Sequence, residues 1–503
     1  MPPVFNYQFE NQLGFRGQST FSTGLFIDGK FVDAIDGQTI EVVNPAKGDV
    51  IGTASLANEK DIDAAVNAAT RAFQTSWGLK VPASERARLL LKLADLIDRD
   101  ADELASLETL NVGKPYLYAR YGDVAASAMM ARYYAGWADK LTGKTVEVDE
   151  SKLIYTRQEP LGVVAGIIPW NFPLFLLVLK LTPALATGNT VILKPSELTP
   201  LTSIRLCSLI NEAGFPPGVV NVVAGTGQSA GVAIANHMGI QKIALTGGPL
   251  AGRSLLKAAG NSNLKRLTLE LGGKSPAIIF DDADFDDAVR WASFGIFFNA
   301  GQMCMAGSRI YVQETIYDKF IEAFLAHSKT LRTGDPFDPA TQLGAQISSV
   351  HTERIMRHIK VAVEEGATLV AGGSRIDREG YFVEPTVFTN VKHDMKIIQE
   401  EIFGPVVAIA KFKDEEEVLK MANGTMYGLA ASVFTNNVTR AIKISGALEA
   451  GTVWVNCHHN ITPQVSYGGY KQSGMGRELG DEAIGQYTNT KAVHINLGSK
   501  SIF

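Results

Sequence analysis

Residues 160–179 read PLGVVAGIIPWNFPLFLLVL, twenty positions without a charge. By length alone this run can cross a bilayer as a helix. Its interior argues against that, because Pro169, Asn171 and Pro173 fall within five residues, and a proline inside a helix removes a hydrogen bond and clashes with the preceding turn. The run divides instead into a strand GVVAGII, a loop PWNFP and a buried helix. The same unit recurs downstream at TVILK (from Thr190), VVNVVAG (from Val219) and KIALTGG (from Lys242), each followed by a polar or Gly/Pro turn and a helix-like segment. Repeated strand-turn-helix units specify a parallel sheet with helices on its faces, so the fold class is α/β.

Ligands of such sheets bind beyond the carboxyl ends of the strands. The residues to inspect are therefore Asn171, KPSE at 194–197, GTGQSAG at 225–231 and TGGPLAGR at 246–253. Upstream, EKDIDAAVNAATRAF sets Ile62, Val66, Ala69 and Phe73 on one helical face, and SERARLLLKLADLI does the same with Leu89, Leu93 and Ile97 behind Ser84 as a candidate cap. A second set of strands begins at PAIIF (Pro276) and runs through SRIYV, PVVAIAKF, LAASVFT and TVWVN, so a second α/β domain starts near Gly272. Alternation in KTVEVDESKLIYT and in the distant KAVHINLG predicts exposed strands that pair with each other and extend into a neighbouring subunit, or else form an ordinary edge hairpin.

The chain has 503 residues, 46% hydrophobic and 20% charged, with a formal net charge of -5, as expected of a globular protein with more than one domain. No basic tract or aromatic-basic interleaving marks a nucleic-acid or anionic-membrane partner, so a small molecule is expected. The three cysteines, Cys207, Cys304 and Cys457, are too few and scattered for a disulfide framework and point to a reducing compartment, the cytoplasm. The N-terminal stretch lacks the features of a signal or transit peptide, and the closing SKSIF matches no anchor. GGKS at 272–275 fails as a phosphate loop because the required glycine would fall at Thr268, and GTGQSAG departs by one residue from G-x-G-x-x-G. The eight histidines show no metal spacing, and no metal is expected.

Cys304 sits in NAGQMCMAGSR, between two methionines, with no charge before Arg309. A buried cysteine is usually a small hydrophobe; a nucleophile needs a base and an open backbone. LTLELGGKSP puts Glu270 at a strand end before two glycines that let the chain turn and open the carboxylate to a cleft between the domains. Alone, such a glutamate is ordinary solvated surface. Together with PWNFP, KPSE, EEIFGPV at Glu400, QMCMAG, GTVWVN and GGYKQSGMGRE, in order and at the approximate spacing, it resembles the aldehyde dehydrogenase superfamily over nearly the whole chain, specifically the NAD-linked, non-acylating branch.

The resemblance implies a Rossmann-like cofactor domain (1–141 and 161–272), a catalytic domain (273–472) and bridging or oligomerisation strands (142–160 and 487–503) in a homodimer or homotetramer. It implies that Cys304 attacks the aldehyde, that Asn171 and the Cys304 backbone N–H hold the oxyanion, and that Glu270 activates the water that cleaves the thioester. Lys194 and Glu197 are implied at the adenosine ribose, Trp170 and Gly225 along the cleft, and Glu401 with Phe403 at the nicotinamide end. One departure is TGGPLAG, where Gly248 offers no hydroxyl and Pro249 no N–H to the pyrophosphate, although a helix N-terminus still accepts its charge. Phe172, Leu176, Leu179, Met303, Met305, Ile461 and Tyr467 match the aldehyde tunnel and favour an aliphatic or aromatic aldehyde. His459, with His458 beside it, adds polarity there or serves packing. The rival readings are an NADP-linked semialdehyde dehydrogenase, a CoA-acylating relative, which usually lacks the base, and a non-catalytic NAD-binding structural protein.

Overall fold

The structure, a computed structural model, describes residues 1–11 and 13–501. Gln12, Ile502 and Phe503 lie outside the described residues, the last two at the end of the 487–503 segment and of the SKSIF tail. The run at 160–179 resolves as the strand Val163–Ile167, a loop, and the helix Pro173–Ala186 with proline in its first turn. Fourteen residues of helix rise about 21 Å, short of a bilayer core of about 30 Å. Among the described residues no helix is long and apolar enough to cross a membrane.

Val163–Ile167 lies inside an eight-stranded sheet. The order across it is Gly474–Met475, Arg266–Glu270, Lys242–Thr246, Val163–Ile167, Thr190–Lys194, Val220–Val222, Leu25–Ile27 and Lys30–Val32. The middle five strands are parallel and both edges are antiparallel. From Val163–Ile167 the chain first builds outward through Thr190–Lys194 and Val220–Val222, then returns to add Lys242–Thr246 on the other side. That reversal is the topological switch point, and in open α/β sheets ligands bind in the crevice at the strand ends there. The two strands flanking it end at Ile167, followed by the loop that carries Asn171, and at Thr246, followed by Gly247 and Gly248.

A second sheet of seven strands runs Thr368–Ala371, Thr386–Thr389, Val406–Phe412, Arg309–Gln313, Pro276–Ile279, Ala430–Phe434 and Thr452–Val455, all parallel except the first. The two remote segments with exposed alternation do pair. Lys152–Pro160 lies antiparallel to Thr488–Asn496 over nine residue pairs, with Thr145–Val146 on its other side. Most of these residues are exposed or only partly buried, as the alternating polar pattern requires.

Two local expectations change. The helix expected from Ser84 spans Ala83–Arg99, with Pro82 at the cap position and no side-chain cap. Proline is pre-organised for a helix start, which displaces the serine into the first turn. The glycines after Glu270 do not have positive φ. Their reason is space: a Cβ on Gly272 would lie 2.2 Å from a Glu401 carboxylate oxygen, and one on Gly273 would lie 2.2 Å from the Cys304 carbonyl oxygen.

Candidate active site

The loop carrying Cys304 begins where the helix Phe285–Phe297 runs out. Asn299, Ala300 and Gly301 follow in succession with φ of 51°, 52° and 73°. The left-handed region costs a non-glycine residue roughly 1–2 kcal/mol, so this turn persists because surrounding contacts hold it. Gln302 supplies many of them. Its side-chain amide donates to the carbonyls of Asn299 and Ala345 and accepts from the Ile347 N–H, while its own carbonyl accepts from Asn171 Nδ2 at 2.9 Å. On the far side His458 Nε2 bonds the Met305 carbonyl at 3.1 Å. The thiol is thus clamped between the loop after Val163–Ile167 and the second sheet.

A cavity of about 640 Å³ opens over it. Its wall contains Asn171, Glu270 and Cys304, with Trp170, Gly248, Glu401 and Phe403, and also Phe172, Leu176, Leu179, Met303, Met305, His459, Ile461 and Tyr467. The structure therefore gathers in one cavity side chains from segments of sequence some 300 residues apart. Three expected residues are not in this wall. Lys194 is buried and donates to the carbonyls of Gly225, at 2.5 Å, and Pro195, and it lies 3.6 Å from the Glu197 carboxylate. Lys194, Glu197 and Gly225 form their own cluster at the end of the neighbouring strand Thr190–Lys194.

Burial dominates the electrostatics. It pushes the Cys304 thiol up, and the charges of Glu270 and Glu401 add to that. The Glu270 carboxyl is raised well above its ordinary value by burial and by Glu478, with Lys180 and Arg477 acting the other way. One Glu270 oxygen, Oε1, is buried without a hydrogen-bond partner among the described residues, as is Asn171 Oδ1. Both are polar atoms left unmatched inside the protein, which calls for a ligand, a water or a functional role. Glu401 accepts from the Gly273 N–H at 2.9 Å and is pushed by burial to about 7. Trp170, Phe403 and His351 pack edge to face with centroids 5.2–6.1 Å apart, and the His351 ring bonds the Phe403 carbonyl at 2.7 Å.

Sequence reasoning missed Lys180, Glu478 and Gln302. Lys180 lies in the buried helix Pro173–Ala186 and donates to Glu478 at 2.5 Å and to Thr246 Oγ1 at 2.8 Å, behind Glu270. The signal was present: a single lysine in an otherwise apolar helix must be paired. His458 is packed, held by Ser432 and Met305. His459 lines the cavity with Nε2 bonded to the Gly295 carbonyl at 2.9 Å, so that nitrogen carries the proton.

An α/β protein with a clamped thiol, a buried carboxylate and an amide around one cavity is built as enzymes are. Residues 31–493 match the model of the aldehyde dehydrogenase family. An aldehyde dehydrogenase of Agaricus bisporus is 53% identical over 500 residues, 99% of this chain and 100% of the relative. Retinal dehydrogenase 2 of Rattus norvegicus is 49% identical over 95% of this chain and 93% of its own length. Among solved structures, the NAD+ complex of an aldehyde dehydrogenase from Bacillus cereus superposes with a TM-score of 0.93 at 46% identity, covering 95% of this chain and 97% of that one. The chain belongs to the aldehyde dehydrogenase family, a family of oxidoreductases.

Proposed function

We propose that this enzyme oxidises an aldehyde to the carboxylic acid with NAD, through a thioester on Cys304. The observation that carries the reading is the convergence of Cys304, Asn171 and Glu270 on one cavity. The cavity fits the cofactor. The helix Pro249–Asn261 begins at Gly248 without a side-chain cap, nothing lies within 4 Å of a Cβ placed on Gly248, and Thr246, Gly247 and Gly248 all border the cavity. An uncapped helix N-terminus accepts a pyrophosphate through backbone dipoles. Proline at the first helical position withholds one N–H, which the cap glycine leaves room to offset. Trp170, Glu401 and Phe403 would hold the nicotinamide end, Gly225 would border the adenosine side, and Lys194 and Glu197 would meet the ribose. When bound, NAD supplies the acceptor for the hydride lost by the aldehyde carbon.

The protein's own residues supply the rest. With the thiol proton released to solvent, the sulfur attacks the carbonyl carbon and the carbonyl electron pair moves onto oxygen. Asn171 Nδ2 spends one hydrogen on Gln302 and has a second to offer that oxygen, beside the Cys304 N–H. After oxidation Glu270 takes a proton from water, which attacks the thioester and releases the acid. The apolar wall of Phe172, Leu176, Leu179, Met303, Met305 and Ile461, with the Tyr467 ring, suits an aliphatic or aromatic aldehyde. Residues 1–141 and 161–272 would form the cofactor domain and 273–472 the catalytic domain. The exposed strands within 142–160 and 487–503 would join subunits in a dimer or tetramer. Three free cysteines suit the cytoplasm. The test is NADH absorbance from purified protein with NAD or NADP, a panel of aldehydes, and no CoA. Cys304→Ala should abolish turnover; turnover that persists, or that requires CoA, would remove the mechanism.

A further inference from the structure

We infer that the Tyr467 hydroxyl is a catalytic group that hydrogen-bonds the Cys304 sulfur whenever that sulfur carries negative charge. The inference rests on the reading of Cys304 as nucleophile and adds a partner to it. Tyr467 Oη lies 3.8 Å from Cys304 Sγ, and among the described residues it has no other hydrogen-bond partner. The ring is 6% exposed. Its backbone is pinned by a reciprocal pair, the Tyr467 N–H to the Glu478 carbonyl at 2.6 Å and the Glu478 N–H to the Tyr467 carbonyl at 2.8 Å. The hydroxyl is therefore presented to sulfur from a fixed bridge rather than from a free loop.

The surroundings give sulfur little other help. The charged groups that act on it are Glu270 and Glu401, and both disfavour a thiolate, as burial does. Lys180 and Arg477 act on Glu270 instead. Burial, then the Cys304 sulfur itself, Glu270 and Glu478 all hold the phenol's own proton firmly, so Tyr467 stays a donor rather than becoming an acid. While the thiol is neutral, either atom can donate across the contact. Once the thiol proton has gone, only Tyr467 can, and a bond to an ionised acceptor is roughly twice as strong as a neutral one.

The same bond serves both ends of the cycle. On addition, the sulfur pair becomes the C–S bond and the contact weakens as charge moves to the carbonyl oxygen. On hydrolysis the C–S bond breaks, its electron pair returns to Sγ, and the hydroxyl is already placed to receive it. The proton from water resides on Glu270, and Tyr467 keeps its own throughout.

The test is iodoacetamide alkylation of the full-length, cofactor-free protein across pH, read separately at the Cys304 and Cys457 peptides by mass, in wild type, Tyr467→Phe and Tyr467→Leu. The midpoint at Cys304 should rise by about one pH unit in both variants, a rate about tenfold lower at neutral pH, and Cys457 should be unchanged. KM for an apolar aldehyde should rise only in Tyr467→Leu, which also loses the ring. A Tyr467→Phe profile that superimposes on wild type overturns the inference. So does a shift confined to Tyr467→Leu, or one that appears equally at Cys457, since either reports packing rather than the hydroxyl. If Cys304→Ala retains turnover, the nucleophile reading fails separately, whatever the alkylation profile.

Discussion

Replacing Gly273 by alanine tests how tightly the Cys304 loop is placed. A Cβ there would lie 2.2 Å from the Cys304 carbonyl oxygen and 3.3 Å from Leu429 Cβ. Carbon and carbonyl oxygen do not normally approach closer than about 3.3 Å, so one of the two backbones must retreat by about 1 Å. Gly273 has little freedom to be the one that moves, because the same Cβ is already tight against Leu429. The Cys304 loop must give instead, carrying Sγ away from Asn171. A 1 Å misplacement of reacting groups costs roughly a hundredfold in rate. The expected result is a kcat about a hundredfold lower, with a much smaller change in KM for NAD. Gly272→Ala is the contrast. Its Cβ meets the end of the Glu401 side chain, also at 2.2 Å, which can swing aside, so the penalty should fall mainly on KM for NAD. The assay is steady-state NADH formation with one aldehyde, cofactor and substrate varied in turn, on variants whose melting temperatures are recorded. A Gly273→Ala enzyme within threefold of wild-type kcat would refute the steric argument.

Glu270→Gln should still bind NAD and release a burst of NADH, then stall, with steady turnover about 10²–10⁴-fold lower, the usual range for losing a general base; near-normal turnover would remove Glu270 from that role. Because burial and Glu478 hold the Glu270 carboxyl above its ordinary value, the basic form disappears as pH falls through that raised range. Deacylation in wild type should therefore slow on the acid side, and the Gln variant should lose that limb of its pH profile. At the adenosine end, Glu197 would face the 2′-phosphate of NADP. A pair of unit charges at about 4 Å costs roughly 4 kcal/mol at an effective dielectric of 20. Partial exposure of Glu197 and Lys194 at 3.6 Å reduce that, leaving a preference for NAD of about ten- to a hundredfold. Glu197→Gln should narrow the ratio of kcat/KM values, chiefly by improving NADP, and an unchanged ratio would exclude Glu197 as discriminator. Ending the chain after Asn489 removes most of the strand paired with Lys152–Pro160 and should disturb the oligomer, as read by light scattering.

Parallel strands such as Thr190–Lys194 and Lys242–Thr246 were legible because they are buried along their whole length and therefore written as nearly unbroken apolar runs, TVILK and KIALTGG. That was enough to locate Asn171 and Gly248 at strand ends. Glu270 and Cys304 became interpretable only as a set, since each alone has an ordinary structural reading. The antiparallel edge strands Leu25–Ile27 and Lys30–Val32 are three residues each, too short for any periodicity to register. Lys180 and Glu478 meet across 298 positions, a pairing no local pattern encodes. The glycines at 272 and 273 were noticed for the wrong reason, because sequence shows the missing Cβ without showing what occupies its place. Ser84 lost the cap to Pro82 since both are good starting residues and only packing chooses between them.

The eight-stranded sheet is closed at one edge by Gly474–Met475, against Leu269 and Glu270. During synthesis the strand Arg266–Glu270 therefore leaves the ribosome roughly 200 residues before its last neighbour, a delay of about 10–40 s at ordinary elongation rates. Throughout that interval the nascent sheet presents an unpaired edge, the feature that most readily recruits another chain. Glu270 sits at the end of that strand. Heterologous production should accordingly be limited by the waiting time of the first half of the chain, and slower translation of residues 270–475 should lower the soluble yield without altering the specific activity of what is recovered.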